Sequence, residues 1–356
     1  MRPSERRRDL QIAGREIGPG NPCFVIAEAG VNHNGDPALA RRLVDAAADA
    51  GADAVKFQTF RAEGLASPSA PKAEYQTRAT GASESQLDML RRLELSREAH
   101  AGLMARCRDR GVVFLSTPFE EESADFLESL GVAAFKVPSG EVTNLPFLAH
   151  VARKGRPVIL STGMSTLEEV GAAVRCLRES GDPPLVLLHC VSRYPADPRD
   201  ANLRAMATMS EAFEVPVGYS DHTAGLEVAF AAAALGAAVL EKHFTLDRAL
   251  PGPDHAASLE PGELASLVRG IRLVESALGH GRKEPVLAEA ETAAVARKSL
   301  VAVRDLPVGA ILTRDALAVL RPGTGLAPAR LEELLGRKLR REVREGVPLR
   351  EEDLET

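Results

Sequence analysis

The chain has 356 residues and a formal net charge of -6, with 45% hydrophobic and 26% charged residues, an ordinary composition for a soluble globular protein of one large domain plus a small one, or two medium domains. The acidic balance excludes the broad basic face of a nucleic-acid binder, and the lack of tryptophan with only 4% aromatics excludes a base-stacking platform. No apolar run reaches the roughly 18 residues of a membrane span, and the short Arg6-Arg7-Arg8 cluster reads as a solvated terminus rather than a targeting signal. The four cysteines (Cys23, Cys107, Cys176, Cys190) lack CxxC spacing, so a reducing, cytoplasmic setting is expected.

In chain order, a polar leader gives way to the apolar run 23–27, which ends in Glu28 and a turn at 32–36. The pair Asp36-Pro37 starts a helix that Gly51 stops. A strand at 54–55 continues into Lys56-Phe57-Gln58-Thr59, and a long, weakly patterned segment follows over 61–81; such loops are functional or disordered. Helices are predicted over 83–93 and 96–110. The rhythm then becomes regular: strands at 112–115, 134–137, 157–160, 185–188, 215–219 and 237–241, each running into polar residues and each followed by a helix, with a last helix over 263–278. Eight βα repeats in about 250 residues are the signature of a (β/α)8 TIM barrel. An open doubly wound sheet is the competing architecture, weakened because no GxGxxG follows the first strand. Residues 279–285 form a boundary and a polar helical stretch follows. The tail from 299 has short strands, turns and a small helix near 328–335, as expected of a compact β-rich appendage too small to be more than marginal alone.

In such a barrel, chemistry gathers at the C-terminal strand ends. Two of those ends carry histidine, His222 and His243. Neighbouring parallel strands lie about 4.8 Å apart, so two such imidazoles can share one divalent metal; either alone is as readily a strand-end hydrogen-bonding group. Lys136, Thr117, Ser139, Ser161 and the Ser161-Thr162-Gly163 turn offer ammonium, hydroxyl and backbone donors for a phosphate. Each Ser or Thr taken singly is more often a helix cap. A Lys ending an apolar strand, as Lys56 and Lys136 do, is harder to explain structurally because it points a costly charge into a buried region. Glu28, Glu141 and Asp254 offer acceptors for sugar hydroxyls or a general base. The set points to an anionic, phosphorylated, oxygen-rich substrate with a divalent metal.

The segments IAEAGVNHNGD (26–36), VKFQTF (55–60), LSTPF (115–119), FKVPSGE (135–141), ILSTGM (159–164), LHCVSRYP (188–195), GYSDHT (218–223), EKHFTLD (241–247) and PGPDHAASLEP (251–261) resemble, in one order, the sialic acid synthase family. The tail, with LRPGTG at 320–325, is similar to that family's C-terminal SAF, or antifreeze-like, domain. The resemblance divides the chain into a synthase barrel at 1–283, a linker at 284–297 and the SAF domain at 298–356. It implies condensation of phosphoenolpyruvate with N-acetylmannosamine to give N-acetylneuraminate, with water added and phosphate released. The alternative within the family is 2,4-diacetamido-2,4,6-trideoxymannose as the sugar, giving N,N'-diacetyllegionaminate.

The resemblance further implies that His222 and His243 bind manganese, with magnesium or cobalt as alternatives. It assigns phosphoenolpyruvate to Lys136, Thr117, Ser139, Ser161 and Ser220, with Lys56 nearby, and the sugar to Glu28, Gln58, Tyr194 and Asp254. Glu141 is implied as the proton-transferring group, with Lys56, Lys136 and Glu28 beside it in the catalytic set. Ser192 stands where some members carry Asn at a phosphate or carboxylate contact, and His255 is left with a structural role. Arg321 is implied to reach the sugar's N-acetyl group from the partner subunit of a domain-swapped homodimer. Outside the family, a non-catalytic sugar-binding protein would not need His222, His243, Lys136 and Glu141 together. A metal-dependent aldolase of the same fold would release no phosphate.

Overall fold

The structure, a computed structural model, describes residues 10–74, 76, 77, 81 and 84–355. The arginine cluster at 6–8 and the expected helix start at Ser83 lie outside the described residues. Eight parallel strands form the barrel: β1 (Phe24–Gly30), β2 (Ala54–Thr59), β3 (Val113–Pro118), β4 (Phe135–Val137), β5 (Val158–Ser161), β6 (Leu185–Cys190), β7 (Val217–Asp221) and β8 (Val239–His243). They are hydrogen-bonded in the order β3-β2-β1-β8-β7-β6-β5-β4, and the two ends of that order, β3 and β4, lie side by side. Among the described residues, the longer helices of the barrel unit are α1 (Pro37–Asp49), α2 (Gln86–Leu93), α3 (Arg97–Arg110), α4 (Glu121–Leu130), α5 (Leu145–Ala152), α6 (Leu167–Ser180), α7 (Ala205–Phe213), α8 (Glu227–Ala234) and α9 (Pro261–Leu278).

Because helices cover the sheet's outside and side chains fill its inside, the strands read as continuous apolar runs. Their period of two still sorts the residues. Val25, Ala27, Val55, Phe57, Phe135, Val158 and Leu240 pack outward under the helices. Phe24, Ile26, Ala54, Leu115, Ala134, Ile159, Val186, Leu188 and Val239 fill the lower barrel. The leader, read from sequence only as polar, folds at residues 11–16 into a two-stranded hairpin whose Leu10, Ile12 and Ile17 join this plug and close the barrel's N-terminal end. Burying one such large side chain is worth about 1.5–3 kcal/mol.

The turns into the helices follow local chemistry. Asp36 accepts from the Ala38 amide with Pro37 in the first helical position, and Ser85, Ser96 and Thr166 cap α2, α3 and α6. Contacts divide the chain after Gly279 into two compact units. The second has its own core of Leu300, Leu306, Leu312, Leu334, Leu339, Leu349 and Leu354, around the antiparallel pair β9 (Ser299–Ala302) and β10 (Leu317–Leu320).

Candidate active site

On each strand the position two residues beyond the apolar plug faces into the upper barrel. Beyond Ile26 comes Glu28, beyond Ala54 comes Lys56, beyond Ala134 comes Lys136, beyond Ile159 comes Ser161, and beyond Val239 comes Glu241. Here the strands open into a cavity of about 420 Å³ lined by all five. Adjacent registers set the ionic contacts, since Glu28 pairs laterally with Lys56 on one side and with His243 on the other. Lys56 Nζ lies 2.5 Å from Glu28 Oε2 and 3.7 Å from Glu241 Oε2, and donates to Thr117 Oγ1 at 3.1 Å. Lys136 Nζ is 3.5 Å from Glu241 Oε1, which also accepts from Ser220 Oγ at 3.0 Å. Two carboxylates and two ammoniums thus form a buried, overall neutral cluster at the cavity floor, the condition under which buried charge is tolerable.

Their protonation is divided unequally. Burial pushes the Glu28 carboxyl up to about 7, against the pull of Lys56. Burial would raise Glu241 too, but Lys136 and Lys56 hold it down at about 2. For Lys56, burial works against the charged form, and the Glu241 and Glu28 carboxylates outweigh it and raise the pKa. For Lys136 burial prevails and the pKa is lowered. A carboxyl near neutrality beside one that is always ionised is how a site separates an acid from a fixed counter-charge.

Beside this cluster is a niche of small donors. Ser161 Oγ is buried and among the described residues has no hydrogen-bond partner. The Gly163 amide donates to Ser139 Oγ at 2.9 Å, and a β-carbon on Gly163 would fall 2.3 Å from Ser192 Oγ and 2.9 Å from Cys190 Sγ. Only glycine leaves the niche open, and its hydroxyls, with Lys136 opposite, suit a small anion.

The histidines adjoin the cluster, His222 just past β7 and His243 at the end of β8 beside Glu28. The His222 and His243 rings are 5.7 Å apart between centroids, and the Tyr194 ring lies 4.3 Å from His222 and edge-on to His243 at 5.6 Å. His222 Nδ1 donates to the Val191 carbonyl at 2.7 Å, so its Nε2, 3.4 Å from Ser220 Oγ, is the unprotonated nitrogen, and among the described residues His243 Nδ1 is buried without a hydrogen-bond partner. Burial lowers the pKa of both rings, keeping them neutral. Two neutral imidazoles, one with a nitrogen that lacks a partner among the described residues, fit a divalent cation that His222 and His243 would hold. Among the described residues no group of three or more His, Cys, Asp or Glu side chains forms a closed metal cage.

Gln58, Tyr194 and Asp254 line the same cavity. Gln58 Nε2 donates to Glu28 Oε1 at 3.4 Å, and burial pushes Asp254 up to about 6. Gly30, at φ +53° on the bulge of β1, has Glu28 Oε1, Gln58 Nε2 and Asp254 Oδ2 all within 4 Å of where a β-carbon would stand.

Of the residues singled out from sequence, two are not brought here. Glu141 does not line the cavity; it ends the turn Ser139–Glu141, and its Oε2 accepts from Asn144 Nδ2 at 2.6 Å, next to the start of α5. Arg321 belongs to the second unit, where its Nε donates to the Ala296 carbonyl. Sequence reasoning missed Glu241. It stands between the apolar run 237–240 and Lys242, and its parity with Val239 and His243 marks it as inward-facing. Its neighbour Lys242 faces outward to Asp221 at 2.6 Å. Also missed was the cavity's outer wall of Val31, Leu65, Met89, Leu90, Leu93 and Phe119, a separate apolar cluster built largely from the long segment after β2 and from α2.

Comparison with known proteins agrees with this architecture. The NeuB family model matches residues 43–283 and the SAF domain model matches residues 297–355. The N,N'-diacetyllegionaminic acid synthase of Legionella pneumophila is 48% identical over 342 residues, covering 95% of this chain and 96% of that protein. The enzyme of the same name from Campylobacter jejuni is 47% identical, covering 92% and 99%. Among solved structures, the N-acetylneuraminic acid (sialic acid) synthetase of Leptospira borgpetersenii is similar with a TM-score of 0.70 at 37% identity, covering 80% of this chain and 94% of that one. The chain belongs to the NeuB family of nonulosonic acid synthases and carries a SAF domain.

Proposed function

We propose that this NeuB-family enzyme condenses phosphoenolpyruvate with a 2,4-diacetamido-2,4,6-trideoxy sugar, giving an N,N'-diacetyllegionaminate-type nine-carbon acid, in preference to using N-acetylmannosamine. The observation that carries this choice is the apolar outer wall of Val31, Leu65, Met89, Leu90, Leu93 and Phe119. Against such a wall a methyl and an acetamido group gain more from burial than two hydroxyls do. Gln76 and Gln86, from the same segment, add amides able to meet an acetamido carbonyl. The two relatives at 47% and 48% identity bear the name of that product.

In this reading the niche of Ser139, Ser161, Gly163 and Ser192, with Lys136, Thr117 and Ser220, holds the phosphate and carboxylate of phosphoenolpyruvate. Glu28, Gln58, Tyr194 and Asp254 orient the open-chain sugar. His222 and His243 hold a divalent cation, manganese or a similar ion, which when bound would polarise the sugar's carbonyl oxygen. C3 of phosphoenolpyruvate adds to the aldehyde carbon, and Glu28, poised near neutrality, donates a proton to the oxygen becoming a hydroxyl. With Glu28 protonated, Lys56 and the ionised Glu241 balance each other, and Lys136 leaves one positive charge to meet the anionic substrate. Water adds at C2 and gives its proton back to the Glu28 carboxylate, and the tetrahedral intermediate expels phosphate, whose negative charge Lys136 stabilises as it leaves. Glu28 therefore takes the acid role expected of Glu141, because it reaches the cavity.

The same reading keeps residues 1–283 as the catalytic part, 284–297 as the connection and 298–356 as the SAF part. It places the enzyme in solution as a homodimer in which Arg321 completes the sugar site of the other subunit. Arg321→Ala should then raise the sugar KM with little change in the phosphoenolpyruvate KM. The first test measures phosphate release from phosphoenolpyruvate with manganese, offering each sugar in turn. Preference for the diacetamido sugar supports the proposal; release with N-acetylmannosamine alone makes the chain a neuraminate synthase, and release with neither sinks the substrate assignment.

A further inference from the structure

The loop after β8 carries Asp254 into the cavity, and among the described residues no side chain hydrogen-bonds its carboxylate. The carboxylate's place is therefore set by its backbone, and that loop has only one short helical turn of its own, His255–Ala257. Two clasps fix it from the β1–α1 side. Asn32 Nδ2 donates to the Phe244 carbonyl and to Ser258 Oγ, both at 2.9 Å, and Ser258 Oγ donates to the Asp254 carbonyl at 2.7 Å. The second clasp is His255, which is 0% exposed and does not line the cavity. Its Nδ1 lies 2.6 Å from Thr245 Oγ1 and its Nε2 lies 3.3 Å from Asn34 Oδ1. With the Asn34 oxygen accepting, Nε2 carries the proton and Nδ1 accepts from the Thr245 hydroxyl, whose other acceptor, the Asp247 carbonyl, is farther away at 3.2 Å, so a neutral ring satisfies both ends. Gly252, at φ +153°, passes so close that a β-carbon would fall 2.6 Å from His255 Cδ2 and 2.7 Å from Asn34 Oδ1. The loop is wrapped onto this pair.

We propose that His255 is a positioning residue for the sugar site: by bridging Thr245 and Asn34 it pins residues 251–258 to the β1–α1 loop and so holds Asp254 at the convergence of Glu28, Gln58 and Gly30. The inference rests on the functional reading for the sugar contact of Asp254, but the bridge itself does not. A purely structural histidine would change stability when lost; a positioning one changes one substrate's KM and spares the other's.

The experiment compares His255→Ala, His255→Gln, Asn34→Gly, Asp254→Ala and the double variant of Asp254→Ala with His255→Ala, all in the full chain with manganese. Hydrogen exchange of the peptide spanning 251–258 should quicken at least tenfold in His255→Ala and in Asn34→Gly, which breaks the same bridge from the other loop and keeps the positive φ of position 34. The sugar KM should rise on the order of 10²-fold in His255→Ala while the phosphoenolpyruvate KM stays within about twofold, since misplacement of about 1 Å has that effect. His255→Gln, whose amide still donates toward Asn34, should recover part of the loss. The double variant should be no worse than Asp254→Ala alone, because both changes remove one function. Unchanged exchange, an unchanged sugar KM in a folded variant, or additive losses in the double variant would each overturn the proposal. If the unaltered enzyme releases phosphate with none of the sugars, the functional reading fails, and the exchange arm still decides whether His255 holds the loop.

Discussion

The lower and upper halves of the barrel are built by the same strands and differ by one step of their alternation. Below, Phe24, Ile26, Ala54, Ile159 and Val239 form a dry plug; two residues further, Glu28, Lys56, Ser161 and Glu241 form a charged floor under an open cavity. The lower layer gains stability from burial alone. The upper layer contains charges that are tolerable only as a set, so it is held by mutual compensation and is correspondingly sensitive to the loss of any one member. Reactivity is confined to the upper layer, so a mutation in the plug can cost stability while sparing turnover.

The largest effect should come from unbalancing the floor. Lys136→Met leaves Glu241 and the phosphate niche short of a cation, and phosphate release should fall on the order of 10³-fold, with stability lowered by about 3–5 kcal/mol. A variant with unaltered kcat/KM would break the contrast at its strongest point. Next, His222→Ala or His243→Ala should abolish metal-dependent turnover while circular dichroism and melting behaviour remain those of a folded barrel; normal turnover in either would remove the metal assignment. In the plug, Ile159→Ala should cost about 2–5 kcal/mol in urea unfolding and leave kcat essentially intact, and a large kcat loss there would show that the two halves are not separable.

Asp254 sharpens the contrast through pH. Its folded pKa, pushed to about 6, lies above the unfolded value of about 3.9, so the folded state binds the extra proton between them. That contribution to stability is present below about pH 4 and is lost as pH rises through 6. Asp254→Asn should therefore be more stable than the parent by about 2–3 kcal/mol at pH 8, with the advantage vanishing at pH 4. In the parent the sugar KM should rise as pH falls below 6, and it should not do so in the Asn variant. The smallest effect expected is for Gly30→Ala, which forces a β-carbon 3.2 Å from Glu28 Oε1 at φ +53°. It should cost about 1–2 kcal/mol and raise the sugar KM while sparing that of phosphoenolpyruvate.

Much of the site was legible because parallel strands announce their ends: an apolar run stops, and the first polar residues stand at the rim. Lys56, Thr117, Lys136, Ser161, His222 and His243 were all found in this way, and all line the cavity. Glu141 fails the rule since it is three residues past Pro138, at the end of a turn that carries its carboxylate toward Asn144 rather than inward. Glu241 obeys it, as the first polar residue after the run 237–240, but was passed over because three polar residues follow in a row and Lys242, of opposite parity, stands between it and His243. The leader hairpin was illegible because its strands are only two residues long, below the length at which periodicity means anything.

By itself the sequence determined the eightfold βα rhythm, the barrel, the appended β-rich unit and most of the cavity's donors and acceptors, because these depend on patterns within a few residues of each position. Only the tertiary structure decided the charge balance among Glu28, Lys56, Lys136 and Glu241, the apolar wall contributed from α2, and the His255 bridge between Thr245 and Asn34. Each of those joins segments tens to hundreds of residues apart, and their energies depend on distance and burial, which no local pattern of residue types encodes.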